Sequence, residues 1–298
     1  VEAVGPGVVE PRPGDQVVLS WAPTCGRCRY CVVGRPNLCA RRRPGQGVLL
    51  DGTTRLSLRG SPVHQYGHVG TYASQAVVHE SSAIPIRRDV PLELAALIGC
   101  SVMTGVGAVL NTAAVPAGAS MAVFGVGGVG LNVVQGGALA AAHPLVAVDV
   151  RPSKLEYARA LGATHAVDAA REDPVAAVRA LTGGGADYTF VAVGDARAMT
   201  QACEALGPGG TCILIGIPPT GSTVPLDVRP LVSGERTIRG SSYGSARTRV
   251  DLPRMVDLYA AGRLRLDQLI TRRYGLDEAN DGFRDLAAGE IARGLIVF

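Results

Sequence analysis

The chain has 298 residues, 47% hydrophobic and 18% charged, with a formal net charge of +4. That composition supports a sizeable buried core and a length of about two domains, and so small a charge argues against a nucleic-acid or membrane-surface partner. No apolar run reads as a bilayer span and no basic, apolar, cleavable leader opens the chain, so the expectation is a cytoplasmic globular protein.

The first stretch, VEAVGPGVVEPRPGDQVVL, is strand-like. It is followed by CGRCRYCVVGRPNLC, which places Cys25, Cys28, Cys31 and Cys39 in one short segment of a chain with seven cysteines. In a reducing compartment, clustered thiols read as metal ligands before disulfides. Gaps of two, two and seven residues, with Gly26, Gly34 and Pro36 allowing turns, let the lobe 25–39 aim four sulfurs at one tetrahedral ion. Zinc fits best, and four thiolates leave no open position, so this zinc is expected to be structural. Reduced thiols packed as small hydrophobes are the plainer alternative, but four of them among Arg27, Arg29 and Arg35 have no core to join. A nucleic-acid zinc module is a further one, with positive charge added by Arg41, Arg42 and Arg43. Such a run reads equally as a solvated face.

Around Pro91 the texture changes from β-branched runs broken by Gly and Pro to short apolar strands alternating with helical patterns. The strands are MAVFG (121–125), LVAVDV (145–150), HAVDA (165–169), DYTFVAVG (187–194), TCILIG (211–216) and TIRGSSYG (237–244). This alternation predicts an α/β domain with a doubly wound parallel sheet, and the near-continuous apolarity of the strands predicts burial on both faces.

The first strand runs into GVGGVG, with Gly125, Gly127 and Gly130 at the fingerprint positions of a dinucleotide turn and Gly128 inside it. The second strand ends at Asp149, placed to accept hydrogen bonds from ribose hydroxyls. A phosphate at that place would meet a like charge, which favours NAD over NADP. Lys154 is the only lysine in the chain. Its compact ammonium suits a ribose edge, and it reads equally well as a solvated residue of a helix's first turn.

These residues carry a resemblance. The thiol lobe, LIGCSVMTGVGAVLNTA (97–113), AVFGVGGVG and the ending IARGLIVF stand in the order and at the spacings of the medium-chain, zinc-dependent alcohol dehydrogenases. The resemblance implies a Rossmann coenzyme domain (102–242) joined to a GroES-like β-barrel catalytic domain (1–101), to which the segment 243–298 returns. The stretch DGTTRLSLRGSPV, followed by GTYASQAVV, is similar to the branch that acts on primary alcohols and thiol adducts of formaldehyde. The family pattern makes Cys100 a ligand of a second, catalytic zinc, places Thr104 beside the nicotinamide ring and Arg293 on the coenzyme pyrophosphate, and puts His68 near the substrate cleft. Standing alone, His68 also reads as a structurally satisfied histidine. Hydride would pass between NAD and an alcohol or aldehyde adduct held as a zinc-bound alkoxide, and the last sheet strand would pair across a two-fold axis in a homo-oligomer. Cys203 and Cys212 read as core residues, and Ser101 stands where many members carry Gly.

The family takes its remaining catalytic-zinc ligands, a Cys and the His of a Gly-His-Glu motif, from a segment ahead of Val1. The expectation is therefore an N-terminally truncated dehydrogenase with an incomplete barrel, inactive by itself. A non-catalytic relative that binds NAD and one zinc as a sensor or partner subunit is the alternative.

Overall fold

A computed structural model describes residues 1–42, 47–289 and 291–298. Arg43 of the arginine run lies outside the described residues. The chain divides into two compact units, Val1–Cys100 with Ala246–Phe298, and Ser101–Ser245.

The unit Ser101–Ser245 is built on a six-stranded parallel sheet: β1 (Met121–Phe124), β2 (Leu145–Asp149), β3 (His165–Asp168), β4 (Ala186–Val191), β5 (Leu206–Leu214) and β6 (Thr237–Gly240). The spatial order is β3-β2-β1-β4-β5-β6, so the order reverses between β1 and β4. In open sheets of this kind ligands bind beyond the carboxyl ends of the strands at that reversal. Every residue of β1 and the first four of β2 are buried, as strands covered by helices on both faces must be. The covering helices are α1 (Gly130–Leu139), α2 (Pro152–Ala160), α3 (Pro174–Leu181), α4 (Ala196–Glu204) and α5 (Val228–Ser233). Asp173, Asp195 and Asp227 cap α3, α4 and α5, each accepting a hydrogen bond from a backbone N–H of the first turn.

All six expected strands are present, but the last ends at Gly240 and the residues Tyr243–Ser245 form a single helical turn. The reason is a close approach within this unit. A Cβ on Gly244 would stand 2.2 Å from the Met103 carbonyl oxygen, and one on Gly107 would stand 2.6 Å from the Gly244 carbonyl oxygen. The chain must leave the sheet to make that contact, so the unit extends to Ser245, past the boundary at 242 expected from the sequence.

The other unit has a GroES-like region in which the described residues form three separate two-stranded ladders. Val17–Leu19 pairs antiparallel with Ala83–Pro85, Leu56–Leu58 with Ser61–Val63, and Ile270–Tyr274 runs parallel to Arg293–Ile296. The helix Thr248–Ala260 packs on the strand Ala83–Pro85, burying Leu252, Met255 and Val256 in the core that holds Val18 and Ile84. Asp251, with no exposed surface, closes that helix's first turn: it accepts from the Arg247 backbone N–H at 2.7 Å and from the guanidinium at 3.1 Å.

One helical run, Leu92–Ala113, contradicts the reading that no segment is apolar and long enough to span a bilayer. Its 22 residues have a peak mean hydropathy of 1.8. Its most apolar window is 67% buried within the protein, with Ile98, Val102, Met103 and Val106 wholly enclosed, so it serves as a core helix.

Replacing Asp251 by Ala removes the buried carboxylate that accepts from both the Arg247 N–H and its guanidinium, which is expected to cost about 1–3 kcal/mol. Trp21, the single tryptophan, lies in the same unit and reports its denaturant unfolding by fluorescence. An unchanged midpoint would show that Asp251 contributes nothing there.

Candidate functional site

The thiol lobe is shaped by local backbone. Gly26 and Gly34 take positive φ values of 70° and 77°, Cys28 precedes the short helix Arg29–Val32, and Pro36 opens the turn Pro36–Leu38 that delivers Cys39. The four sulfurs lie within 4.8 Å of one another. Cys28 Sγ is 3.5 Å from Cys31 Sγ and 4.0 Å from Cys39 Sγ. Zinc–sulfur bonds of about 2.3 Å in a tetrahedron separate the sulfurs by about 3.8 Å, so the observed spacing fits that ion. The Cys25 backbone N–H donates to Cys39 Sγ at 3.4 Å. Backbone N–H groups of Cys31 and Ala40 hold the Cys28 thiol down to about 6, whereas burial, and then the neighbouring Cys28, push Cys31 up to about 12. Four thiols this close can ionise together only with a cation among them, which a divalent metal would supply. Within the arginine run, Arg42 stacks over the Trp21 ring at 5.1 Å.

The glycine turn shows three separate requirements. Gly125 has φ +82° and its missing Cβ would lie 2.9 Å from Val193 Cβ. Nothing lies within 4 Å of a Cβ position on Gly127, which leaves open space where a ligand backbone can approach. A Cβ on Gly130 would stand 1.9 Å from the Gly125 carbonyl oxygen, so no other residue fits there. This is the division of roles that a pyrophosphate-binding turn demands. Asp149 Oδ2 accepts from the Val126 N–H at 2.9 Å and Oδ1 from the Arg151 N–H at 3.0 Å. The carboxylate therefore braces the turn as well as ending β2, and each oxygen keeps a further lone pair for a ribose hydroxyl. Two residues overlooked in the sequence complete the brace. Asn132, buried in α1, donates to the Gly128 carbonyl at 2.8 Å, and Gln135 donates to Asn132 Oδ1 at 3.1 Å. Their signal was two amides in an otherwise apolar helix. Lys154 sits half-buried at the start of α2 and, among the described residues, makes no ion pair.

Thr104 belongs to the same unit, half-buried on the helix Met103–Gly107. That helix packs directly on α1, because a Cβ on Gly105 would meet Asn132 Cβ and the Val129 carbonyl at 2.6 Å. Cys100 belongs to the other unit and lies on a π-helical turn, Ile98–Val102. Gly99 fixes that turn: its missing Cβ would stand 2.4 Å from the Leu19 carbonyl. Cys100 reaches solvent. The protein packed around it pushes its thiol up, and the nearby Arg293 guanidinium opposes that shift. Arg293 opens the strand Arg293–Ile296, and its Nε is buried with no hydrogen-bond partner among the described residues. Burial lowers the Arg293 pKa and the charge of Cys100 raises it. An orphaned guanidinium N–H beside an accessible thiol suits an anionic group, and a pyrophosphate fits that donor.

His68 is buried and its Nδ1 lies 2.6 Å from the Val48 carbonyl, so the ring is satisfied structurally. Cys203 and Cys212 lie in the core of the sheet domain. Ser101 is buried. Among the described residues, the thiol lobe is the one place where three or more metal-ligating groups gather; Cys100 stands apart from it.

Comparison with known proteins agrees with this geometry. Residues 1–88 match the alcohol dehydrogenase GroES-like domain and residues 128–261 the zinc-binding dehydrogenase family. The chain belongs to the zinc-dependent medium-chain alcohol dehydrogenases. It is 41% identical to the alcohol dehydrogenase class-3 of Cereibacter sphaeroides, with 100% of this chain and 82% of that protein covered. It is 39% identical to the S-(hydroxymethyl)glutathione dehydrogenase of Paracoccus denitrificans over 100% of this chain and 82% of that one. The crystal structure of an alcohol dehydrogenase zinc-binding domain protein from Burkholderia ambifaria superposes with a TM-score of 0.94 at 36% identity, covering 99% of this chain and 80% of that chain.

Two outcomes follow for the purified chain. Metal analysis should find about one tightly held zinc per chain, lost when Cys28 and Cys31 are both replaced by serine; a zinc that survives the double replacement would refute the assignment. Gly130→Ala should abolish coenzyme binding in titration calorimetry, because the turn cannot close around the added methyl.

Proposed function

We propose that the chain is an NAD-linked oxidoreductase of primary alcohols or thiol adducts of formaldehyde. The observation that carries this reading is that Cys100, an accessible soft metal ligand, and Arg293, whose buried guanidinium Nε has no hydrogen-bond partner among the described residues, belong to one unit. When bound, zinc supplies Lewis acidity to the alcohol oxygen and NAD accepts the hydride. Cys100 contributes one ligand to that metal, and Arg293 offers its buried N–H to the coenzyme pyrophosphate. In the sheet unit, Gly125, Gly127, Gly128 and Gly130 let the backbone of their turn approach a pyrophosphate, and Thr104 flanks the nicotinamide. Asp149 accepts from the ribose hydroxyls and repels a 2′-phosphate, with Lys154 at the neighbouring edge. The class-3 and S-(hydroxymethyl)glutathione relatives favour a thiol-adduct substrate. The strand Thr237–Gly240 lies at the edge of its sheet, with one side open to pairing, which favours a homo-oligomer. A cytoplasmic setting agrees with the free thiols.

A second reading, a relative that binds NAD and one zinc without turning over alcohols, draws support from the isolation of Cys100 from any group of three ligands among the described residues. A catalytic zinc takes three protein ligands and one open position.

The 298-residue chain should bind NADH at least tenfold more tightly than NADPH, a difference of about 1.4 kcal/mol, and Asp149→Ser should erase most of that preference. Titration calorimetry with both coenzymes measures it, and equal affinities would refute the role of Asp149. On a panel of primary alcohols and thiol-formaldehyde adducts, NAD-dependent turnover that Cys100→Ser abolishes is the outcome expected of the oxidoreductase, whereas coenzyme binding with no turnover on any of them would favour the second reading.

A further inference from the structure

The glycine turn and the helix that carries Thr104 meet at one residue, Asn132 of α1, which has no exposed surface. The hydrogen bonding around it is irregular. The Leu131 N–H reaches back four residues to the Gly127 carbonyl at 2.8 Å, whereas the Asn132 N–H bonds the Val129 carbonyl, three residues back, at 3.0 Å. The backbone thus passes over the Gly128 carbonyl, and the Asn132 side chain takes it instead, donating from Nδ2 at 2.8 Å. A carbonyl only accepts, so this contact fixes which end of the amide is nitrogen, and Oδ1 accepts from the buried Gln135 at 3.1 Å. The Gly128 carbonyl and the Val129 N–H belong to one planar trans peptide and point in opposite directions. Drawing the carbonyl onto Asn132 therefore aims that N–H the other way, and it makes no hydrogen bond among the described residues. A free N–H at a helix start is a donor for an anion. The same stretch of α1 seats the helix Met103–Gly107: a Cβ on Gly105 would stand 2.6 Å from both Asn132 Cβ and the Val129 carbonyl oxygen, and 2.8 Å from the Val133 nitrogen.

Given the coenzyme site proposed above, on which this rests, we infer that Asn132 is a positioning residue for both ends of the coenzyme. Its amide sets the tilt of the Gly128–Val129 peptide, so that the Val129 N–H meets the pyrophosphate. Its β-carbon, with the Val129 carbonyl, seats Gly105 and so places the helix bearing Thr104. A shift of that helix displaces Asn132 and Val129 together, and with them the donor that the pyrophosphate meets. The two subsites share one piece of backbone, and the buried amide is the part of it that carries orientation.

The test is titration calorimetry of the whole chain with NADH and with ADP-ribose, which carries the pyrophosphate but no nicotinamide, on variants shown to be folded by circular dichroism. Asn132→Ala keeps the β-carbon and removes the donor, and should weaken both ligands about tenfold, the worth of one oriented hydrogen bond. Asn132→Ser returns a hydroxyl able to reach the carbonyl four residues back, and should recover binding to within about threefold of the unaltered chain. A loss of packing alone would not be repaired by one oxygen atom. Gly105→Ala, outside the turn, should weaken ADP-ribose by about threefold or more although that ligand has no group to meet Thr104. Alanine and serine forms that bind alike would overturn the role of the amide, and a Gly105→Ala form with unchanged affinity for ADP-ribose would overturn the coupling. An unaltered chain that binds neither ligand would refute the coenzyme reading itself, and this role with it.

Discussion

The coenzyme half of the protein depends on one backbone contact, the approach of the Gly130 α-carbon to the Gly125 carbonyl oxygen. That contact lets β1 turn directly into α1, so the first N–H groups of the helix point past the end of the sheet at the place where strand order reverses. The surrounding polar groups serve it. Asp149 holds the Val126 N–H from the side of β2, and Asn132 holds the Gly128 carbonyl from inside α1, so the loop is tied at both flanks before any ligand arrives. A turn fixed in advance loses little conformational freedom on binding, which leaves more of the interaction energy as affinity. Asp149 ties the Val126 and Arg151 N–H groups with one carboxylate, so any replacement made there also loosens the turn.

The thiol lobe solves a different problem by different means. Its residues are mostly exposed or half-buried, with Asn37 and Cys39 the buried ones between Cys25 and Cys39. So little apolar burial cannot order a loop of this length against its chain entropy, and ligation supplies what packing does not. The contrast with Cys203 and Cys212 is instructive, since the same side chain lies in a packed core there.

The sheet, the glycine turn and the thiol lobe were legible because each is written in contiguous residues: apolar runs of strand length, glycines at fixed offsets, and thiols at ligand spacing. What escaped was non-local or had no sequence signature. The end of the sixth strand is set by Gly107 meeting Gly244, a contact between segments far apart in the chain. The π-helical turn that presents Cys100 looks in sequence like any apolar helix, and the neighbour that tunes its thiol, Arg293, arrives from the far end of the chain. His68 offered two readings, and only its carbonyl partner favours the structural one. The apolar run Leu92–Ala113 was underrated because helical length cannot be judged when glycine, serine and threonine interrupt the hydrophobic pattern.

The chain's reliance on arginine has a practical side. Lys154 is its one side-chain amine, and it stands in the first turn of α2, five residues beyond the carboxylate that ends β2. Lysine acetylation and proteases that cut only after lysine meet this single position, five residues beyond Asp149. A fluorophore attached through that amine needs no engineered handle and sits in the first turn of α2. Where most proteins scatter such reagents over dozens of lysines, this one has a built-in address.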